Sequence, residues 1–171
     1  MPLIIGVDPG LRGALALYDG ETLVVHDMPV LANVVSGKKR SAIDGYSIAR
    51  ILDNAGHIKV AWIEKVGAMP HDGSVQAFAF GAALGEIVGL LKAHFIPIEM
   101  IAPVKWRRAM DVPKTTAGDK SPSIARATHL LPSYSHLWAA VRGNGDAHTR
   151  GGRAEAALVA LYGWAQNGQT K

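Results

Sequence analysis

Three carboxylates in this sequence are placed where a hard cation could be held. Asp8 ends the apolar run 3–7. Glu64 ends a run over 57–64 rich in Val, Ile and Trp. Glu155 lies near the start of a small-residue helix expected over 153–166. Each alone is an ordinary residue: a turn cap, an ion-pair partner of Lys65, a helix glutamate. Together they suggest chemistry. Glu155 shares a helix face with Leu158, Val159 and Tyr162, so it heads a stripe that must be buried. A carboxylate there is costly unless it meets a cation, and the flanking alanines let the helix lie close to strands. The chain has no cysteine, which excludes thiolate sites, and three carboxylates suit Mg2+, with Mn2+ able to substitute. Two such ions per site, roughly 3.5–4 Å apart, would activate a water and stabilise the leaving oxygen of a phosphodiester. Without metal, desolvation and like-charge crowding should raise the pKa of at least one of the acids.

The elements that must position these acids follow from patterning. Strands are expected over 3–7 and 14–18, then a two-residue hairpin turn at Asp19-Gly20 with positive φ, then a returning strand over 23–28. Residues 33–41 are polar and basic and read as a loop. Asp44 can cap a helix carrying Tyr46, Ile48, Ile51 and Leu52. A strand over 57–64 is followed by a Gly- and Pro-bearing loop over 66–73 and a long apolar helix over 74–91 with Ser74 as its cap. A strand over 95–101, a short basic helix over 104–110, a loop over 111–122 and a helix over 123–131 come next. Residues 133–152 are poorly patterned and precede the final helix. This order implies an α/β fold: a five-stranded mixed sheet, three strands antiparallel and then two parallel, with helices on both faces. Right-handed crossovers set the strand of Asp8 beside that of Glu64. Both acids then leave one sheet edge, where open α/β sheets bind ligands.

At 171 residues and 49% hydrophobic, one domain over 1–171 is expected. Lys and Arg number 18 against 14 Asp and Glu, a mild excess that suits a polyanionic partner. Its placement says more. Lys38, Lys39 and Arg40 cluster in one segment, and Lys105, Arg107, Arg108, Lys114 and Lys120 in another. Both could follow a phosphate backbone. The opening MPLIIGVDPG reaches an aspartate too early for a signal peptide, and the apolar runs read as too short to span a membrane. A cytoplasmic protein with no membrane partner is expected.

Ile4-Ile5-Gly6-Val7-Asp8-Pro9-Gly10 followed by Gly13-Ala14-Leu15-Ala16 resembles the opening of the RuvC Holliday-junction resolvases. Ile63-Glu64-Lys65-Val66 is similar to the acidic end of their fourth strand, and Arg153-Ala154-Glu155-Ala156-Ala157-Leu158 to their terminal acidic helix, above all in phage-borne members. The likeness runs from residue 3 to about residue 163. It implies a ribonuclease H–like fold, a homodimer, and metal-dependent symmetric nicking of four-way DNA junctions or other branched DNA, in the host cytoplasm if phage-encoded. It assigns metal binding to Asp8, Glu64 and Glu155. Lys105 and Lys120 match basic residues that the family places near the scissile phosphate.

Two positions depart from the family pattern. A fourth acid or histidine usually precedes the last carboxylate by about one turn, where this chain has Gly151-Gly152. Asp146 or His148 folding back, or water, would then complete the shell. Some relatives also carry an aromatic wedge three residues after the strand-end glutamate, where Gly67 stands here; Met69 and His71 are the alternatives. The pattern Gly6-Val7-Asp8-Pro9-Gly10 also resembles the first phosphate loop of actin-like ATPases and sugar kinases, which need a second domain that this chain has no room for. Closer rivals are another ribonuclease H–like nuclease, such as one processing ribosomal RNA, and a junction-binding protein without catalysis. For the dimer contact the apolar helix from Ser74 is the candidate, since its apolar surface exceeds one stripe.

Overall fold

Side chains alternate faces along a strand, and β1 (Leu3–Asp8) and β2 (Ala14–Tyr18) are buried on both faces. Ile5, Val7, Leu15 and Leu17 pack into one core with α1 (Gly45–Asn54) and α2 (Ser74–Ala93). Ala14 and Ala16 belong to a second core, with α5 (Ala147–Gly168). The computed structural model describes residues 2–35, 38–65, 67, 73–116 and 118–168, with no side chains described over 33–40. Its main sheet has five strands in the order β3-β2-β1-β6-β7, where β3 is Leu23–Asp27, β6 Ile58–Glu64 and β7 Ile98–Ile101. β2 pairs antiparallel with β1 and β3, while β6 pairs parallel with β1 and β7. This is the mixed sheet with helices on both faces that the sequence implies.

Small residues set how close α5 comes to the sheet. A Cβ on Gly6 would lie 2.2 Å from the Ala156 carbonyl oxygen, and one on Gly163 would lie 2.3 Å from the Trp62 ring. The helix backbone therefore rests directly on β1, and Ala154, Ala156, Ala157 and Ala160 are buried in the core it shares with the sheet and α4 (Ser121–Leu130).

Five local expectations change. Residues 30–35 and 38–43 form an antiparallel two-stranded sheet of β4 (Val30–Val35) and β5 (Lys38–Ile43), where a loop over 33–41 is expected from the sequence. Val and Leu in β4 favour extended backbone, and the basic run simply occupies the returning strand. The β2–β3 turn spans four residues rather than two. Tyr18 pairs with Leu23, Asp19 Oδ1 accepts from the backbone N–H groups of Glu21 and Thr22 at 2.9 and 2.7 Å, and Gly20 supplies the positive φ of 100°. Ser74 is the first helical residue of α2, with Gly73 at the cap position and no side-chain cap bond. β7 begins at Ile98 because Phe95 turns the chain with a φ of 56° and Pro97 has no N–H to pair. Last, α5 begins at Ala147, six residues before Arg153. Asp146 Oδ1 accepts from the Thr149 N–H at 2.8 Å and starts the helix early.

By length and composition alone, α2 is long and apolar enough to cross a membrane, which corrects the expectation that no such run exists. Its buried residues are Ala83, Ile87 and Leu91, which share one stripe. Val75 and Phe78 are exposed.

Candidate active site

The register of the two parallel strands places the first two acids together. Val7 pairs with Ile63 across the β1–β6 ladder. Gly6 faces α5, so Asp8, two residues on, leaves the same face. Trp62 also faces α5, edge-on to Tyr162 at 5.2 Å, so Glu64 leaves that face as well. Glu155 precedes Ala156, the residue whose carbonyl overlies Gly6. Asp8, Glu64 and Glu155 are 7%, 8% and 5% exposed, three of the four buried polar or charged residues among the described residues. The fourth, Ser123, donates from Oγ to Glu155 Oε1 at 2.9 Å.

Two cations and, with Ser123, two neutral donors hold these oxygens. Lys120 Nζ lies 2.6 Å from Asp8 Oδ2 and 2.7 Å from Glu155 Oε2, bridging the two carboxylates. Arg107 Nη1 donates to Glu155 Oε1 at 2.9 Å. Trp106, fully buried on α3 (Pro103–Ala109), donates its indole N–H to Glu64 Oε1 at 2.8 Å. Burial pushes the Asp8 carboxyl above its usual range, against the pull of the Lys120 charge and hydrogen bond. Burial likewise raises Glu64 to about 7, with added repulsion from Asp8 and Glu155. For Lys120 burial acts downward, but Asp8 and Glu155 outweigh it and hold the ammonium above its ordinary value. These shifts match the crowding expected of a metal-free acidic cluster.

Glu64 makes stability fall as pH rises. Between its ordinary 4.5 and about 7, the folded chain keeps a proton that the unfolded chain has released. The cost is complete above the folded value. Metal-free Glu64→Gln should therefore be more stable than wild type at about pH 8, by roughly 3 kcal/mol, and should converge with it near about pH 4. Thermal melts in EDTA at both pH values check this. A constant difference would show that Glu64 carries no such strain.

The other sequence candidates divide. Arg107 and Lys120 join the acids directly. Arg108 and Lys114 line the adjoining cleft, whereas Lys105 is exposed on α3 outside the described lining. Asp146 does not fold back: it caps α5 and its other oxygen lies 3.5 Å from Arg12. His148 is exposed in the first turn of α5. The side chains of Lys38, Lys39 and Arg40 lie outside the described residues, as do Met69 and His71; Gly67 is exposed, and a Cβ there would meet no atom of the described residues within 4 Å. Trp106 and Ser123 were missed by sequence reasoning. The signal for Trp106 was an indole in the basic run Lys105-Trp106-Arg107-Arg108, where burial would be its only use; Ser123 gave none.

With Lys120 between Asp8 and Glu155, no three described His, Asp or Glu side chains are close enough to hold one ion as they stand. The donor set nevertheless fits a hard divalent cation: three buried carboxylates face two cations, and one negative charge is left over.

No protein-family model matches the sequence, and no curated protein matches it. Solved structures do match. T. thermophilus RuvC in complex with Holliday junction substrate is similar over 98% of this chain and 97% of its own, with a TM-score of 0.60 at 11% identity. A second Thermus thermophilus RuvC structure covers 97% and 96%, with a TM-score of 0.57 at 12% identity. The fold is that of RuvC.

Beside the acids of this RuvC-like fold opens a cleft of about 1050 Å3. Glu64, Glu155, Arg107 and Lys120 form its inner end, and Arg108, Lys114, Thr115 and Thr116 its outer wall. Asp119 shapes that wall. It accepts from Thr115 Oγ1 at 2.5 Å and from the Ser121 N–H at 2.9 Å, and these bonds hold its carboxyl down at about 2. The turn thus fixed presents Lys120, at the cap of α4, to Asp8.

Proposed function

We propose that this chain is a divalent-cation-dependent endonuclease that nicks four-way or other branched DNA junctions. One observation carries the reading: three buried carboxylates from β1, β6 and α5 converge at one end of a RuvC-like sheet, beside a cleft walled by basic residues. Asp8, Glu64 and Glu155 would hold the cation, Mg2+ or Mn2+ by the hardness of their oxygens. When bound, it would supply an activated water and charge stabilisation at the phosphodiester. The chain's own groups do the rest. Trp106 and Ser123 fix the rotamers of Glu64 and Glu155. Arg107 gives one amino group to Glu155, and its buried Nη2 has no partner among the described residues, which leaves a donor for a phosphate oxygen. The outer lysine and arginine hold the backbone of the nucleic acid without reading its sequence.

Symmetric nicks need two sites related by a two-fold axis, so the active form is a homodimer, and the exposed apolar side of α2, with Val75 and Phe78, suits the subunit contact. The phage-type assignment rests on the likeness of the terminal helix motif. Gly151 and Gly152, where a fourth ligand would stand, favour a second reading: a junction-binding protein that does not cut.

The test is cleavage of labelled four-way junctions, flaps, RNA–DNA hybrids and plain duplex in Mg2+, Mn2+ or EDTA. Metal-dependent paired nicks near the branch point support the proposal. Tight junction binding without cutting supports the second reading, and cleavage confined to RNA-containing substrates would overturn the junction assignment. Arg108→Ala and Lys114→Ala should each weaken binding to all branched substrates alike and lower the slope of log affinity against log salt by about 1. An unchanged slope, measured by fluorescence anisotropy, would place both residues outside the interface.

A further inference from the structure

The place of a fourth ligand is filled from elsewhere in the chain. Gly151 and Gly152 are buried in α5 one turn before Glu155. A Cβ on Gly152 would lie 2.3 Å from the Arg12 carbonyl oxygen, so backbone occupies that direction. A Cβ on Gly151 would lie 2.4 Å from Lys120 Cβ and 2.5 Å from its Cδ. The lysine stem thus runs through the space that a side chain at 151 would take. It ends with its ammonium fixed between Asp8 Oδ2 and Glu155 Oε2.

We propose that each chain takes one divalent cation, between Asp8 and Glu64, and that the Lys120 ammonium is a built-in cation standing where a second ion would bridge Asp8 and Glu155. The proposal rests on the nuclease reading and departs from the pair of ions that three carboxylates alone suggest. Charge favours it. The acids exceed Lys120 and Arg107 by one negative charge. One divalent ion turns this into one positive charge, which a phosphodiester neutralises. Two divalent ions would leave three uncompensated positive charges in a buried site before substrate arrives. Position favours it too. Glu155 is bonded by Lys120, Arg107 and Ser123, and Asp8 by Lys120, but Glu64 is bonded by the neutral indole of Trp106. Room for an added positive charge is therefore on the Glu64 side.

Counting bound Mn2+ decides the matter. The full-length protein is titrated with Mn2+ while electron paramagnetic resonance reads the free ion, for wild type, Lys120→Met and Asp8→Asn. One ion per wild-type chain, two per Lys120→Met chain and none in Asp8→Asn is the expected set. Two ions of similar affinity in wild type would overturn the proposal and leave the nuclease reading standing, and this count does not depend on any variant folding. One ion in both wild type and a Lys120→Met protein that still melts cooperatively would remove the lysine from the second position. No bound ion in wild type would end both the proposal and the nuclease reading.

Discussion

Asp8→Asn is expected to lower junction cleavage by at least about a thousandfold while changing junction affinity by only a few-fold. Asp8 is the acid that touches the whole cluster: it pairs with Lys120, repels Glu64 and Glu155, and leaves the sheet from the strand on which α5 rests. Asparagine keeps the shape and an acceptor for Lys120 but loses the charge that draws in a cation. Affinity should survive because phosphate contacts from Arg108, Lys114 and their neighbours do not pass through Asp8. Single-turnover cleavage in Mg2+ and anisotropy in EDTA separate the two effects. Cutting at the wild-type rate would remove Asp8 from the chemistry.

Lys120→Met acts on stability in the opposite sense to Glu64→Gln. Removing the ammonium leaves Asp8 and Glu155 facing one another in a buried site, and breaking a buried pair from one side costs on the order of 3–5 kcal/mol. For a chain of this length that is a drop in melting temperature on the order of 10 °C in EDTA. Added Mn2+ should recover most of it, since a cation then occupies the emptied position. Differential scanning fluorimetry with and without Mn2+ reads both. An unchanged melting temperature in EDTA would mean that the bridge contributes nothing to the fold.

What was legible in the sequence is what alternation and strand ends record. Ile5 and Val7 against Gly6 and Asp8 already state which residues face which layer, and the crossover rule sets β6 beside β1, so the mixed sheet and the convergence of Asp8 with Glu64 follow. The helix of Glu155 was legible from its alanines. What escaped was tertiary in origin. β4 and β5 hide in a segment whose charges resemble a loop. Gly151 and Gly152 close the poorly patterned stretch 133–152, yet they lie inside α5, where Lys120 and the Arg12–Gly13 backbone take the space beside them. Lys120 itself is distant in sequence from both acids it joins, and no local pattern reports that bridge. The same holds for Trp106 on Glu64 and Ser123 on Glu155, each a single bond across more than thirty residues.

Anomalous scattering from a crystal soaked in Mn2+ tests most directly whether the three acids hold a catalytic cation. A peak within about 2.5 Å of carboxylate oxygens of both Asp8 and Glu64, lost in Asp8→Asn crystals, is the expected result. Full Mn2+ occupancy elsewhere on the chain, with the Asp8–Glu64 position bare while junction DNA is being cut, would contradict it.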